Sequence, residues 1–465
     1  MYRSLLSHVF MIFILGTILE AQAKYVFLFI GDGMGLAQRT LAEFVVNAQK
    51  KQAPGVHKLA MNKFPVQGYL HTYSSDSYIT DSAASATTYA MGKKTYSGAI
   101  GLDMNGKNSD PTLVDIARKQ GMKTGIITNV PLNHATPAAF YAHEINRRMY
   151  NKIADSLVKA PLDFVGGGCI KVSKMPGAKK KPEDYYDLAK QNGFKFHDNK
   201  VESFKPKRSD RNWVMPNDCS SGGDIPYAID RNENNYTTLK DYVSMGIKSL
   251  NNPNGFFLMV EGGKIDWASH SNDAATAVLE VLDFDDAVKV AVDFYEKNPT
   301  NTTIVVVADH ETGGLALGRS KTKYEFHPAQ LMNQKISMYE LNNVIKRWRD
   351  EKPSFAKVMR TLKSYFSLDN WSEDVMARLQ KAYDFTFDPK LKDQAPQKFM
   401  YSTSEPIAIA MIDIVAERTG VAWTTVGHTG MPIPVSAIGQ GQQLFGGMTE
   451  NTAVFKNLKS IIEKK

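Results

Sequence analysis

The sequence predicts an α/β fold, with a doubly wound, mostly parallel central sheet and helices on both faces. Three observations predict it. Short runs rich in Val, Ile, Leu and Phe recur without clean alternation, as in strands covered on both sheet faces. Helical patterns separate these runs. Carboxylates follow three of the runs, where open α/β sheets bind their ligands.

In chain order, strands are expected at Tyr25 to Ile30, Thr124 to Thr128, Phe256 to Val260 and Thr303 to Val307. Pro111 to Gln120 and Asp273 to Lys297 have helical patterning between them. Two stretches interrupt the alternation. Residues 171–235 are polar and turn-rich, and residues 321–397 hold amphipathic stretches such as Ser337 to Lys346 and Trp371 to Tyr383. Both read as insertions on one domain spanning 24–465.

The 465 residues, 43% hydrophobic and 22% charged, have ordinary globular composition. Residues 1–23 read as a secretory signal: Arg3, an apolar run from Val9 to Leu19, then Ala21-Gln22-Ala23. The run is too short to span a membrane comfortably. An exported protein, periplasmic or secreted and without a transmembrane anchor, is expected. Cys169 and Cys219 are the only cysteines. They can pair in an oxidising compartment, but their spacing excludes a cysteine metal site. Net charge is +8. The basic residues are scattered and lack interleaved aromatics, which argues against nucleic-acid recognition. Their field would gather anionic substrates.

The motifs sit at the predicted strand ends. Gly31-Asp32-Gly33-Met34-Gly35 lacks dinucleotide-loop spacing, and its glycines free space around Asp32, which suits a metal ligand. Glu261 ends the third strand, and Asp266 and His270 are four apart, on one face of a helix, where they can grip one ion. Asp309-His310 ends the fourth. His428 follows in Gly427-His428-Thr429-Gly430. Thr136 offers a hydroxyl suited to a hard cation, and Arg147 a planar fork for phosphate oxygens. Asp32, Asp266, His270, Asp309, His310 and His428 are enough for two three-ligand zinc sites, each with an open position. The run Tyr78-Ile79-Thr80-Asp81-Ser82-Ala83-Ala84-Ser85-Ala86-Thr87-Thr88 sets a serine beside an aspartate, ahead of small residues. It fits a helix start, by capping alone or by holding an anion near a serine nucleophile.

Together these motifs resemble the alkaline phosphatase family, in the family's order and over nearly the whole mature chain. Thr80-Asp81-Ser82-Ala83-Ala84-Ser85-Ala86-Thr87 is similar to its nucleophile signature. The resemblance implies hydrolysis of small phosphate monoesters through phosphoserine at Ser82. It implies one zinc on Asp266, His270 and His428, a second on Asp32, Asp309 and His310, and a magnesium on Asp32, Thr136 and Glu261. Arg147 would bind phosphoryl oxygens, steered by Asp81. His134, near the third metal, and Trp267, after Asp266, stand where family members vary. Dimeric relatives often embrace with an N-terminal arm. That arm is short here, so a homodimer would use the insertions, and a monomer stays open. Two rivals remain. A phosphodiesterase or sulfatase is one, although Ser82 has no Ser-x-Pro-x-Arg context. A non-catalytic metal- or phosphate-binding protein is the other.

Overall fold

The four apolar runs form neighbouring strands in a ten-stranded sheet. The computed structural model describes residues 22–107, 110–173, 180–216, 219–220, 222–231, 236–367, 371–388, 390–391 and 404–463. The expected signal segment lies outside them except for Gln22 and Ala23. The strands are β1 (Tyr25–Gly31), β2 (Val66–His71), β3 (Lys123–Thr128), β4 (Phe164–Gly167), β5 (Phe194–His197), β6 (Arg211–Val214), β7 (Phe256–Gly262) and β8 (Thr302–Ala308). Two-residue pieces follow: β9 (Glu311–Thr312), β10 (Ala316–Leu317), β11 (Val421–Ala422) and β12 (His428–Thr429). Last come β13 (Ile433–Gly439) and β14 (Gly447–Glu450).

The sheet order is β14-β2-β13-β8-β1-β7-β3-β4-β6-β5. All neighbours run parallel except β13, which is antiparallel to both β2 and β8. Register carries the functional consequence. Gly31 lies beside Gly262 on one side and Ala308 on the other. The residues at or just beyond these positions therefore meet at one sheet end.

The central strands are continuous apolar runs because both faces are covered. Phe27 packs edge-on against Phe256 at 5.1 Å, and Phe29 against Phe284 at 5.8 Å. Phe284 belongs to the long helix Ala274–Lys297, started by Asp273, whose side chain accepts from the Thr276 N–H. Gly262 is obligatory beneath this helix, since a Cβ there would lie 2.6 Å from the Phe284 ring.

Within 171–235, the chain forms a helix at Pro182–Gln191 and supplies β5 and β6, which extend the sheet beyond β4. Within 321–397, helices form at Met338–Glu351, Phe355–Phe366 and Glu373–Phe387. Each starts at a serine (Ser337, Ser354 or Ser372) whose hydroxyl accepts a first-turn N–H. Among the described residues, no helix is long and apolar enough to cross a membrane.

Cys169 and Cys219 form a disulfide across a separation of 50 residues. It ties the segment after β4 to the loop containing Gly223 and Asp224. Replacing both cysteines with serine is expected to cost about 2–5 kcal/mol of stability. Thermal unfolding should then start at a lower temperature than in the oxidised wild type. An unchanged midpoint, with or without reductant, would refute a stabilising crosslink.

Candidate active site

Ser82 is the first residue of the helix Ser82–Met91. Asp81 is its cap: Asp81 Oδ1 accepts from the Ala84 N–H at 3.0 Å. The run Ser82-Ala83-Ala84-Ser85-Ala86 is buried throughout, so only small side chains fit. Ser82 Oγ is 3.2 Å from His310 Nε2. The helix start thus aims a hydroxyl and free N–H groups at the cluster beyond the strands.

The two orders of the chain converge there. Asp32 follows β1, Glu261 lies in β7, and Asp309 and His310 follow β8. Asp266 and His270 share the short helix Lys264–His270. His428 arrives on β12, which pairs with β9 next to His310. His270 Nε2 and His428 Nε2 are 3.1 Å apart, and they lie 3.3 and 3.6 Å from Asp266 Oδ1. His310 Nε2 is 3.4 Å from Asp32 Oδ1 and 3.3 Å from Asp309 Oδ2. Both three-residue groups expected from the sequence therefore gather, each around one point. His310 also lies within ligand range of Asp266 and His428, so the two groups adjoin.

The third group gains a member. Asp32 and Glu261 meet as expected, and His134 joins them, with its ligand atom within 4.8 Å of theirs. Thr136 lies two residues along, on the turn of helix Ala135–Ala138. Its buried hydroxyl has no hydrogen-bond partner.

The donor chemistry fits cations. Asp32 Oδ1 and Oδ2, Asp309 Oδ2, Glu261 Oε1, Thr136 Oγ1 and His134 Nδ1 are all buried without hydrogen-bond partners. Buried polar atoms are seldom left this way, and here they face one another. Burial, reinforced by Asp309, Asp266 and Glu261, drives the Asp32 carboxyl well above the usual range. Burial and Asp266 push Asp309 up to about 7. Burial pushes Glu261 up to about 8, against the pull of the Thr128 hydroxyl. For Asp266, burial is outweighed by His270, His428 and His310, which hold it below the usual range. Divalent cations would relieve the repulsion among these carboxylates.

The imidazoles are aimed by their far nitrogens. His270 Nδ1 bonds the Val426 carbonyl at 2.5 Å, and His428 Nδ1 the Thr80 carbonyl at 2.9 Å. A carbonyl only accepts, so Nδ1 carries the proton and Nε2 presents a lone pair to the cluster. The Thr312 hydroxyl donates to Asp266 Oδ1 at 2.5 Å and lies 3.2 Å from His310 Nδ1. Glu311 accepts from Gln38, the Leu315 and Gly314 N–H groups and Thr429, clamping β12 against β9. Sequence reasoning missed Thr312 and Glu311, although both directly follow His310. Gly33 has φ +68°, and a Cβ there would lie 2.9 Å from Asp266 Cα. Only glycine lets the two segments approach this closely.

Arg147 lies in a turn. Its Nη1 donates to Asp81 Oδ2 at 2.9 Å, and its Nη2 is 3.2 Å from His134 Nε2. The Arg147 and Asp81 side chains keep 21% and 22% exposure, so this pair faces the open side of the cluster. Burial would raise Asp81, but Arg147 and the Ala84 and Gly98 N–H groups hold it below the usual range. Burial and Arg147 keep His134 neutral, well below an ordinary imidazole. The Trp267 ring meets His134 edge-on at 5.8 Å. A separate groove of about 860 Å³, lined by Leu36, Tyr69, Met431 and Met448 among others, contains none of the candidate ligands.

Comparison with known proteins agrees with this geometry. The alkaline phosphatase family model matches residues 23–464. Alkaline phosphatase 3 of Bacillus subtilis (strain 168) is 31% identical over 94% of this chain and 89% of its own length. The repressible alkaline phosphatase of Saccharomyces cerevisiae is 31% identical over 95% of this chain and 81% of its own. Among solved structures, the cold-active alkaline phosphatase of a psychrophilic Shewanella superposes with TM-score 0.77 at 27% identity, covering 95% of this chain and 100% of that one. A histidine-to-glutamate variant of the TAB5 alkaline phosphatase, with Mg bound in its M3 site, superposes with TM-score 0.64 at 25% identity, covering 96% of this chain and 99% of that one. With the match running from the first strand to the last helix, the chain belongs to the alkaline phosphatase family, whose members hydrolyse phosphate monoesters.

Proposed function

We propose that this chain hydrolyses small phosphate monoesters through a phosphoserine on Ser82. The observation that carries the reading is the serine itself. A buried hydroxyl at a helix N-terminus lies 3.2 Å from His310, at the edge of a carboxylate–imidazole cluster. A non-catalytic binding protein has no use for a nucleophile so placed.

Asp266, His270 and His428 would hold one zinc, and Asp32, Asp309 and His310 a second. The imidazole and carboxylate donors suit that ion. Asp32, Thr136 and Glu261 would hold a magnesium with His134 beside them. Oxygen donors suit magnesium, and a TAB5 variant with glutamate in place of a histidine holds Mg in its M3 site. When bound, the cations supply Lewis acidity toward phosphoryl oxygens and make hydroxyl groups easier to deprotonate.

The chain's residues do the rest. Arg147 takes two phosphoryl oxygens with its fork, held in place by Asp81 and His134. The N–H groups at the start of the Ser82 helix face the same anion. Ser82 Oγ forms a bond to phosphorus and loses its proton. The ester P–O bond breaks, and the leaving alkoxide takes up one proton. Water then attacks the phosphoserine, the P–Oγ bond breaks, and inorganic phosphate leaves. Arg147 contacts the phosphoryl group in both steps. A diester would set a second alcohol group against the Arg147 fork, so monoesters are favoured.

Replacing Ser82 with alanine should lower turnover of p-nitrophenyl phosphate by roughly 10³-fold or more while zinc content stays unchanged. Chelation should abolish wild-type activity, and added zinc should restore it. Activity that survives in Ser82→Ala, or that favours the diester or sulfate analogue, would refute the reading.

Trp267 stands where some family members carry a cation near the phosphate. Its neutral ring leaves phosphate release fast. Trp267→Lys should therefore tighten inhibition by inorganic phosphate and slow turnover. Unchanged inhibition and turnover would refute this role.

We also infer export, supported by the signal-like segment and the disulfide. Ala23 is buried, and Gln22 Nε2 donates to the Ile462 carbonyl at 2.5 Å. A cut after Ala23 would remove these contacts and leave β1 intact. N-terminal sequencing of the mature protein should begin at Lys24, and an intact leader in the exported protein would contradict this.

A further inference from the structure

Lys264 belongs to the Glu261-to-His270 segment yet has no part in the reaction above. Its side chain is only 1% exposed. Lysine is almost never buried so fully without a partner. Its Nζ pairs with Asp224. The same ammonium lies 3.6 Å from the Tyr227 ring centre, 5.2 Å from that of Trp267 and 6.0 Å from that of Tyr339. This is an aromatic cage filled by the protein's own cation.

Both sides of the cage are anchored. Asp224 sits on the loop fastened by the disulfide. The Cys169 N–H donates to the Gly223 carbonyl at 2.8 Å, the Ser220 N–H to the Asp224 carbonyl at 2.9 Å, and the Ser220 hydroxyl to the Asp224 carboxylate. Lys264's own N–H donates to Asn129 Oδ1 at 3.2 Å. On the other side, Trp267 lies between the ammonium and the imidazole of His134. His134 Nε2 in turn accepts from Arg147. A continuous chain of contacts thus runs from a covalent anchor to the phosphate-binding guanidinium.

We infer that Lys264 is a positioning residue: paired with Asp224, it fixes Trp267 and, through His134, sets the grip of Arg147 on the phosphoryl group. The inference rests on the phosphatase reading above. The Trp267 side chain has no hydrogen bond among the contacts described, and the residue is only partly buried. The ammonium below it, the imidazole beside it and the Tyr227, Ala268 and Ala277 cluster it packs against hold its orientation. Without Lys264, Asp224 would be a buried carboxylate with no cation beside it, held by the Ser220 hydroxyl, and its loop would shift to reach water.

The test compares Lys264→Met, the charge-free pair Lys264→Met with Asp224→Asn, and the conservative Lys264→Arg. The pair keeps the test valid if the single variant does not fold. The readouts are the inhibition constant for inorganic phosphate, the separate kcat and KM for p-nitrophenyl phosphate, and zinc content. Removing the cation should shift the phosphate constant by roughly three- to tenfold with zinc content unchanged. Lys264→Arg should restore it. In a Trp267→Ala background, Lys264→Met should add no further shift. An equal shift in that background, or a change in melting temperature alone, overturns the inference. Were the wild type inactive on p-nitrophenyl phosphate, the phosphatase reading would fail instead. Calorimetric titration of the same variants with phosphate would then decide the role of Lys264, no change in affinity counting against it.

Discussion

The centre of this molecule is governed by the cost of burying like charges together. Asp32, Glu261, Asp266 and Asp309 are all nearly or fully buried within one small volume. Isolated buried carboxylates are expensive, and four facing one another are more so. Imidazoles balance only part of this charge. Burial first, and the neighbouring carboxylates next, raise Asp32, Asp309 and Glu261 above the usual range. Bound cations would neutralise such a cluster, and the sheet is what holds it together. Strands β8, β1 and β7 run side by side and parallel, so three carboxylate-bearing segments end at the same edge.

Around that cluster, orientation is set by groups that never touch a reacting atom. Backbone carbonyls of Val426 and Thr80 choose the tautomers of His270 and His428. Thr312 steers Asp266 and His310, and Glu311 holds the two-residue ladder that carries His428. Such outer contacts are usually required to keep metal ligands in place. Small residues serve the same end by subtraction. Gly33 and the Ser82–Ala86 run give the ligand segments room to approach.

Much of this was legible in the chain. Buried parallel strands show as apolar runs, and Asp32, Glu261, Asp309 and His310 sit directly at their ends. Asp266 and His270 are readable as a helical i,i+4 pair. Ser82 was ambiguous alone, since Asp81-Ser82 also suits a plain cap. Asp81 is indeed the cap, and Ser82 is the residue it presents. Other features were not legible. The residues alone offered Arg147 only as a candidate fork, and its link to Asp81 came from the family resemblance; the fold makes that contact. Lys264 sits in a quoted motif, but nothing local indicates that it is buried or that Asp224 reaches it. The 171–235 stretch looked like a polar insertion, yet part of it completes the sheet, because short edge strands lack a strong apolar signature.

The sequence by itself determined the fold class and offered the expected ligand set, because both depend on local pattern: periodicity, strand-end chemistry and residue spacing. For the serine, the choice between cap and nucleophile came from the family resemblance. The tertiary structure alone decided three things. It paired Cys169 with Cys219, brought His134 as well as Thr136 towards Asp32 and Glu261, and joined Lys264, Trp267, His134 and Arg147 in one line of contact. The physical reason is distance along the chain. Cys169 and Cys219 stand 50 positions apart, and His134 stands more than 100 from Asp32, Glu261 and Trp267. Such residues leave no mark on one another locally, and only the strand register and the packing of loops over the sheet end bring them within reach.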